Sequence, residues 1–163
     1  MTAPLLVFAY GNPSRGDDAL GPELLRRLEA LAPPGTEFLT DFQLQVDHAV
    51  DLRGRRRVLF IDASVAAPPP FAFARLRAEK DASYTSHAMS PGAVLHAYRE
   101  LYGVAPPPAY LLAVRGDHYE LGAPLSALAS AHLEAAFELA QKLCVAPGEE
   151  WERQLTRAEP VQR

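Results

Sequence analysis

The run Leu5-Leu6-Val7-Phe8-Ala9 is apolar at every position and gives way at once to Gly11-Asn12-Pro13-Ser14-Arg15-Gly16-Asp17-Asp18. A strand with no polar side has both faces covered, which is the condition of a parallel sheet lying between helices. After the loop, Leu20, Leu24, Leu28 and Leu31 recur at helical spacing, with Pro22 near the start, where a missing N–H is tolerated. Strand, tight loop and helix in that order form the opening unit of an α/β fold.

The alternation continues along the chain. Strands are expected over 37–41 and 58–61, a short helix over 46–52, and a weaker alternating strand over 71–76, suited to a sheet edge. Residues 79–90 read as a loop, 91–102 as a helix, 110–114 as the last strand and 125–143 as a long helix. The fold class that follows is α/β, a three-layer α/β/α sandwich around a mostly parallel sheet of about five strands. Proline clusters at 33–34, 68–70 and 106–108 punctuate these elements, and there is no internal repeat. Residues 1–145 are read as a single domain, and 146–163, charged and weakly periodic, as a frayed, solvated tail.

A chain of 163 residues with 48% hydrophobic and 22% charged residues holds a core without staples. Its single cysteine, Cys144, excludes a disulfide scaffold and a thiolate-rich zinc site. No apolar run approaches the roughly 20 residues that span a bilayer, and no signal-peptide pattern opens the sequence, so a cytoplasmic protein without membrane partners is expected. A net charge of −4 offers no general field for phosphate backbones. The arginines 53 and 55–57 form one positive cluster, read as a solvated connection, with docking to an acidic protein face as the alternative.

Open α/β sheets bind ligands outside the carboxyl ends of their strands. That rule singles out Asp17 and Asp18 after the first strand, Asp62 at the end of the third, and His87 in the loop before the helix at Pro91. Two carboxylates and an imidazole suit a divalent transition metal with open coordination positions. Each residue also has a plain structural reading: one of Asp17 and Asp18 as a helix N-cap, Asp62 as a turn cap, and His87 as a hydrogen-bonded loop group. His48, His96, His118 and His132 have no converging partners in the sequence and are read as structural. Arg115-Gly116-Asp117 is read as a strand-end turn.

The segments Gly11-Asn12-Pro13-Ser14-Arg15-Gly16-Asp17-Asp18-Ala19-Leu20-Gly21-Pro22, Phe60-Ile61-Asp62-Ala63, Thr85-Ser86-His87-Ala88-Met89-Ser90-Pro91 and Gly122-Ala123-Pro124-Leu125-Ser126 together resemble the hydrogenase maturation endopeptidases. These proteases remove the C-terminal extension from the large-subunit precursor of nickel-iron hydrogenases. The resemblance spans roughly residues 5–143. It implies a peptide-bond hydrolase of aspartyl type whose metal-contacting residues are Asp18, Asp62 and His87. The metal is nickel supplied by the precursor, and no tightly bound intrinsic cofactor is expected. It also adds Asp41, the family's acidic position after the second strand, so Asp18, Asp41 and Asp62 become the catalytic candidates.

The segment Asp41-Phe42-Gln43-Leu44-Gln45-Val46 departs from the family's common Asp-Gly-Gly-Thr and looks closest to members serving soluble, NAD-linked hydrogenases. Phe42 and Met89, with Tyr84 and Tyr119, are candidates for an apolar substrate lining. The expected partner is the large-subunit precursor, with no nucleic acid, and the protein is expected to be a monomer. Two other classes remain open at this point. A peptidyl-tRNA hydrolase-like esterase shares the strand and Gly-Asn-Pro opening but wants a basic channel, and a nickel-binding maturation chaperone would use the same three ligands without catalysis.

Overall fold

The computed structural model describes residues 2–81 and 89–156. Five strands form one sheet in the order β2-β1-β3-β5-β4: β1 Leu5–Tyr10, β2 Thr36–Asp41, β3 Arg57–Ser64, β4 Phe71–Arg75 and β5 Ala109–Arg115. All pairings are parallel except that of β4, which runs antiparallel to β5 at the edge. The helices are α1 Leu20–Ala30, α2 Pro91–Tyr102, α3 Ala127–Val145 and α4 Gly148–Arg153, with 3₁₀ helices at Gly16–Ala19 and Val46–Leu52.

Alternation along each strand divides the core into two layers. Leu5, Val7, Ala9, Leu59, Ile61, Leu112 and Val114 pack with α1 and α3, whereas Leu6, Phe8, Tyr10, Val58 and Phe60 pack with α2 and the 3₁₀ helix at Val46–Leu52. The three-layer α/β/α sandwich expected from the apolar runs is the observed one. No helix among the described residues is long and apolar enough to cross a membrane.

The chain departs from the sequence reading in three places. Strand β3 does not stop at Ile61, because its ladder with β5 continues through Asp62↔Ala113, Ala63↔Val114 and Ser64↔Arg115. Pairing, not hydrophobicity, sets its end.

Residues 146–156, assigned to a frayed and solvated tail, instead complete the core. Trp151 on α4 is 0% exposed, donates its indole N–H to the Leu143 carbonyl at 3.0 Å and packs on Tyr110 and Phe73. Thr156 then exchanges hydrogen bonds with Phe73 at 2.8 Å, covering the open edge of β4. Residues 157–163 lie outside the described residues.

The arginine cluster is also engaged rather than free. Arg55 bonds the carbonyls of Ala3 and Asp51 and pairs with Glu37 at 2.7 Å, Arg53 lies over Tyr102, and Arg57 lies over Trp151. The pairing Leu5↔Arg57 puts this cluster at the amino ends of the strands.

Candidate functional site

The strand order places the switch between β1 and β3. The chain leaves β1 for β2 on one side and returns to β3 on the other, which opens a crevice at the carboxyl ends of the two central strands. Helix α1 is seated against that point. A Cβ at Gly21 would lie 2.9 Å from the Tyr10 carbonyl oxygen and 3.0 Å from that of Ile61, so only glycine lets the helix start this close to both strands. Gly11 has a φ of 148°, and a side chain there would collide with the Asp18 carbonyl oxygen. The loop is thereby folded tightly, delivering Asp18 to the strand ends.

The adjacent acids Asp17 and Asp18 take opposite directions. Asp17 is 0% exposed. Its carboxylate accepts from the N–H groups of Asp117, His118 and Ser126 at 2.9, 3.1 and 2.8 Å and from the Ser126 hydroxyl at 3.0 Å. Burial alone raises its pKa, but these four donors outweigh it and hold the group below the usual carboxylate range. Asp17 is thus a structural tie between the first loop and the chain between β5 and α3, not an N-cap. The caps of α2 and α3 are Ser90 and Ser126.

Asp18 faces the crevice, and its Oδ2 accepts the N–H of Asn12 at 2.7 Å. Asp62 comes to it from β3. Burial, then the negative charge of Asp18, push the Asp62 pKa up to about 7, while hydrogen bonds from the Ala63 N–H and the Tyr10 hydroxyl oppose the rise. Neither acid has an ion-pair partner among the described residues. Among the described residues no basic side chain offsets the two carboxylates, an arrangement that a divalent cation or a shared proton relieves.

Two tyrosines absent from the expected catalytic and metal sets complete this corner. Tyr10 has its pKa raised by burial and by Asp62, and Tyr119 is pushed up to about 12 by burial and then by Asp62, Asp17, Asp18 and Asp117. Both remain protonated phenols at neutral pH. Tyr10 is signalled in sequence only as the residue that ends the first apolar run.

His87 and Tyr84 lie outside the described residues. Among those that are described, no three metal-ligating side chains gather. The described residues next to that segment are tied to their neighbours. Ser90 donates to the Asp81 carboxylate through its N–H and hydroxyl, and the Met89 N–H bonds the Leu44 carbonyl at 3.3 Å. Met89 packs half-buried on the α2 layer, and Phe42, 64% exposed, follows Asp41 at the end of β2.

Asp41 pairs in register with Tyr10 and so stands one strand from it, on the side away from Asp62. It is joined there by His48, whose Nε2 lies 3.2 Å from Asp41 Oδ2. Nothing in the spacing along the chain marks this partner, since the contact exists only once the 3₁₀ helix brings His48 back to the end of β2. The remaining groups hold to their structural reading. His132 bonds the Arg115 carbonyl at 3.0 Å, Arg115 pairs with Asp117 at the strand end, and burial pushes the Cys144 thiol up to about 11, far from nucleophilic thiolate character.

No protein-family profile matches the chain, and no curated protein matches it in sequence. Solved structures do match. The [NiFe] hydrogenase maturation protease HycI of Thermococcus kodakarensis superposes with a TM-score of 0.67 at 20% identity, over 88% of this chain and 94% of that one. The hydrogenase maturating endopeptidase HybD of E. coli gives 0.65 at 24% identity, over 83% and 88%. A hydrogenase 2 maturation peptidase from a Thaumarchaeota archaeon gives 0.61 at 22%, over 86% and 97%. Across nearly the whole length of these proteins, the chain described above has the fold of the hydrogenase maturation proteases.

Proposed function

We propose that this protein is an endopeptidase that removes the C-terminal extension from the nickel-loaded large-subunit precursor of a nickel-iron hydrogenase. The observation that carries the reading is the pair Asp18 and Asp62, without a basic partner among the described residues, at the β1/β3 switch of this particular fold. In this reading the nickel belongs to the substrate. Asp18, Asp62 and His87 complete the coordination shell of an ion already held by the precursor, so that an unloaded precursor is passed over. A set of three such ligands without a thiolate binds free metal weakly, which keeps recognition dependent on loading.

Hydrolysis of the peptide bond needs a polarised carbonyl and an activated water. Asp62, with its proton affinity raised into the neutral range, is the acid suited to exchange a proton with that water. The phenols of Tyr10 and Tyr119, which stay protonated, are donors available to negative charge developing on the carbonyl oxygen. The exposed Phe42 and the half-buried Met89 supply apolar contact for the extension. Work on a cytoplasmic precursor and preference for the large subunit of a soluble, NAD-linked hydrogenase belong to the same proposal.

The test is cleavage of the purified precursor, with and without nickel, followed by mass spectrometry. Processing of the loaded form alone is expected, and Asp18→Ala is expected to slow it by about 10²- to 10⁴-fold while leaving the protein folded. Equal cleavage of nickel-free precursor sinks the recognition step, and no cleavage of either form sinks the assignment.

A further inference from the structure

The imidazole of His48 is fixed at both nitrogens. Nδ1 accepts the backbone N–H of Gln45 at 2.8 Å, which requires that nitrogen to carry no proton. The proton of the neutral ring is therefore on Nε2, directed at Asp41 Oδ2 3.2 Å away. The ring packs edge-on against Phe8, with centroids 4.7 Å apart, and its side chain is only 14% exposed. With both nitrogens engaged, His48 has no free lone pair to take a proton from water or substrate. It is built to hold its neighbour.

That neighbour is held twice. Asp41 Oδ1 accepts the N–H of Phe42 at 2.7 Å while Oδ2 meets His48, yet the Asp41 side chain stays 42% exposed. Its open surface lies at the strand ends. Asp41 pairs with Tyr10 on one side of β1, and Ala9 pairs with Ile61, the residue before Asp62, on the other, so the two acids flank one tyrosine on the same face of the sheet. Two strand spacings put their Cα atoms roughly 10 Å apart, a span in which one extended segment fits.

We propose that His48 is a positioning residue that aims the Asp41 carboxylate into this groove, where it accepts a backbone N–H of the precursor's extended C-terminal segment. The proposal rests on the endopeptidase reading and assigns Asp41 to substrate binding. The experiment compares wild type with His48→Gln, His48→Asn and Asp41→Asn on the nickel-loaded precursor. Gln keeps a donor where Nε2 stood, whereas Asn keeps only an acceptor near Nδ1.

His48→Asn is expected to raise KM by about 10-fold with kcat within twofold, as loss of a ground-state contact does, and His48→Gln to restore most of it. The double variant His48→Asn with Asp41→Asn is expected to be no worse than Asp41→Asn alone. Thermal midpoints measured on the same samples separate these effects from unfolding. In parallel, ¹⁵N NMR of the substrate-free wild type at pH 7.5 is expected to show the neutral Nε2–H ring.

An unchanged KM in His48→Asn, equal defects in the Gln and Asn variants, or a ring protonated on Nδ1 overturns the proposal. A wild type that leaves the precursor uncut overturns the endopeptidase reading and the groove with it. The NMR measurement then still decides whether His48 holds Asp41.

Discussion

Asp17 and Asp62 are both carboxylates in contact with the same short loop, and the fold treats them in opposite ways. Asp17 is sealed from solvent and surrounded by four donors, and it is held below the usual carboxylate range. Asp62 is also largely buried but meets another acid, Asp18, and its pKa is pushed up to about 7. Burial is common to both, and the partners decide the sign. A fully satisfied acid stabilises the connection it bridges. An acid left against a like charge costs stability, and groups placed this way gather at functional sites.

Neutralising each acid in turn separates the two cases. Asp62→Asn is expected to slow precursor processing by about 10²- to 10⁴-fold and yet to stabilise the protein near neutral pH. Because the folded pKa is raised, the folded state keeps a proton from about pH 4 to about pH 7 that the unfolded state has released, so stability from this group declines as pH rises through that window. The stability gap between Asp62→Asn and wild type should widen over the same window, as read by denaturant unfolding at several pH values. A gap that stays flat removes the raised pKa that burial, and then Asp18, give Asp62.

Asp17→Asn is expected to act in the other direction, with a loss of about 3 kcal/mol in unfolding free energy. An amide cannot accept from all the N–H groups that converge on the carboxylate, and each buried donor left unpaired costs about 1–3 kcal/mol. Its wild-type contribution is present above the unfolded carboxylate pKa and is lost as pH falls through the depressed folded value, so the penalty of the variant shrinks in acid. A variant as stable as wild type at pH 7 would mean that these donors find other acceptors.

Ser126→Ala is the smallest change and separates Asp17's two kinds of partner. The Ser126 hydroxyl donates to Asp17 and accepts the Ala129 N–H as the cap of α3, so its removal is expected to cost about 1–2 kcal/mol without altering processing. If processing falls instead, the tie reaches the crevice, and the division between a structural acid and a functional one is too simple.

Much of the fold was legible because its signals are local. The apolar run at Leu5–Ala9, the helical spacing of Leu20, Leu24 and Leu28, and Pro91 after Ser90 each carry their own periodicity or cap. The positions of Asp18 and Asp62 were legible too, since the carboxyl ends of central strands follow from the strand pattern alone.

What escaped was set by distant chain. Trp151 was hidden in a charged segment, because no local pattern says that an isolated indole will fill a gap beside Tyr110 and Phe73. His48 looked solitary, because its partner lies seven residues away across a turn and its tautomer is chosen by the Gln45 amide.

Side-chain periodicity and residue type were enough to read the order and kind of the elements, the sheet's burial on both faces and the candidate acids. Which of two adjacent aspartates is tied into the frame and which faces the crevice was settled by the assembled fold. It alone decided that Asp62 meets a like charge and that His48 meets Asp41. Hydrogen-bond satisfaction and charge proximity are properties of groups brought together in space, and neither is written in the spacing of residues along the chain.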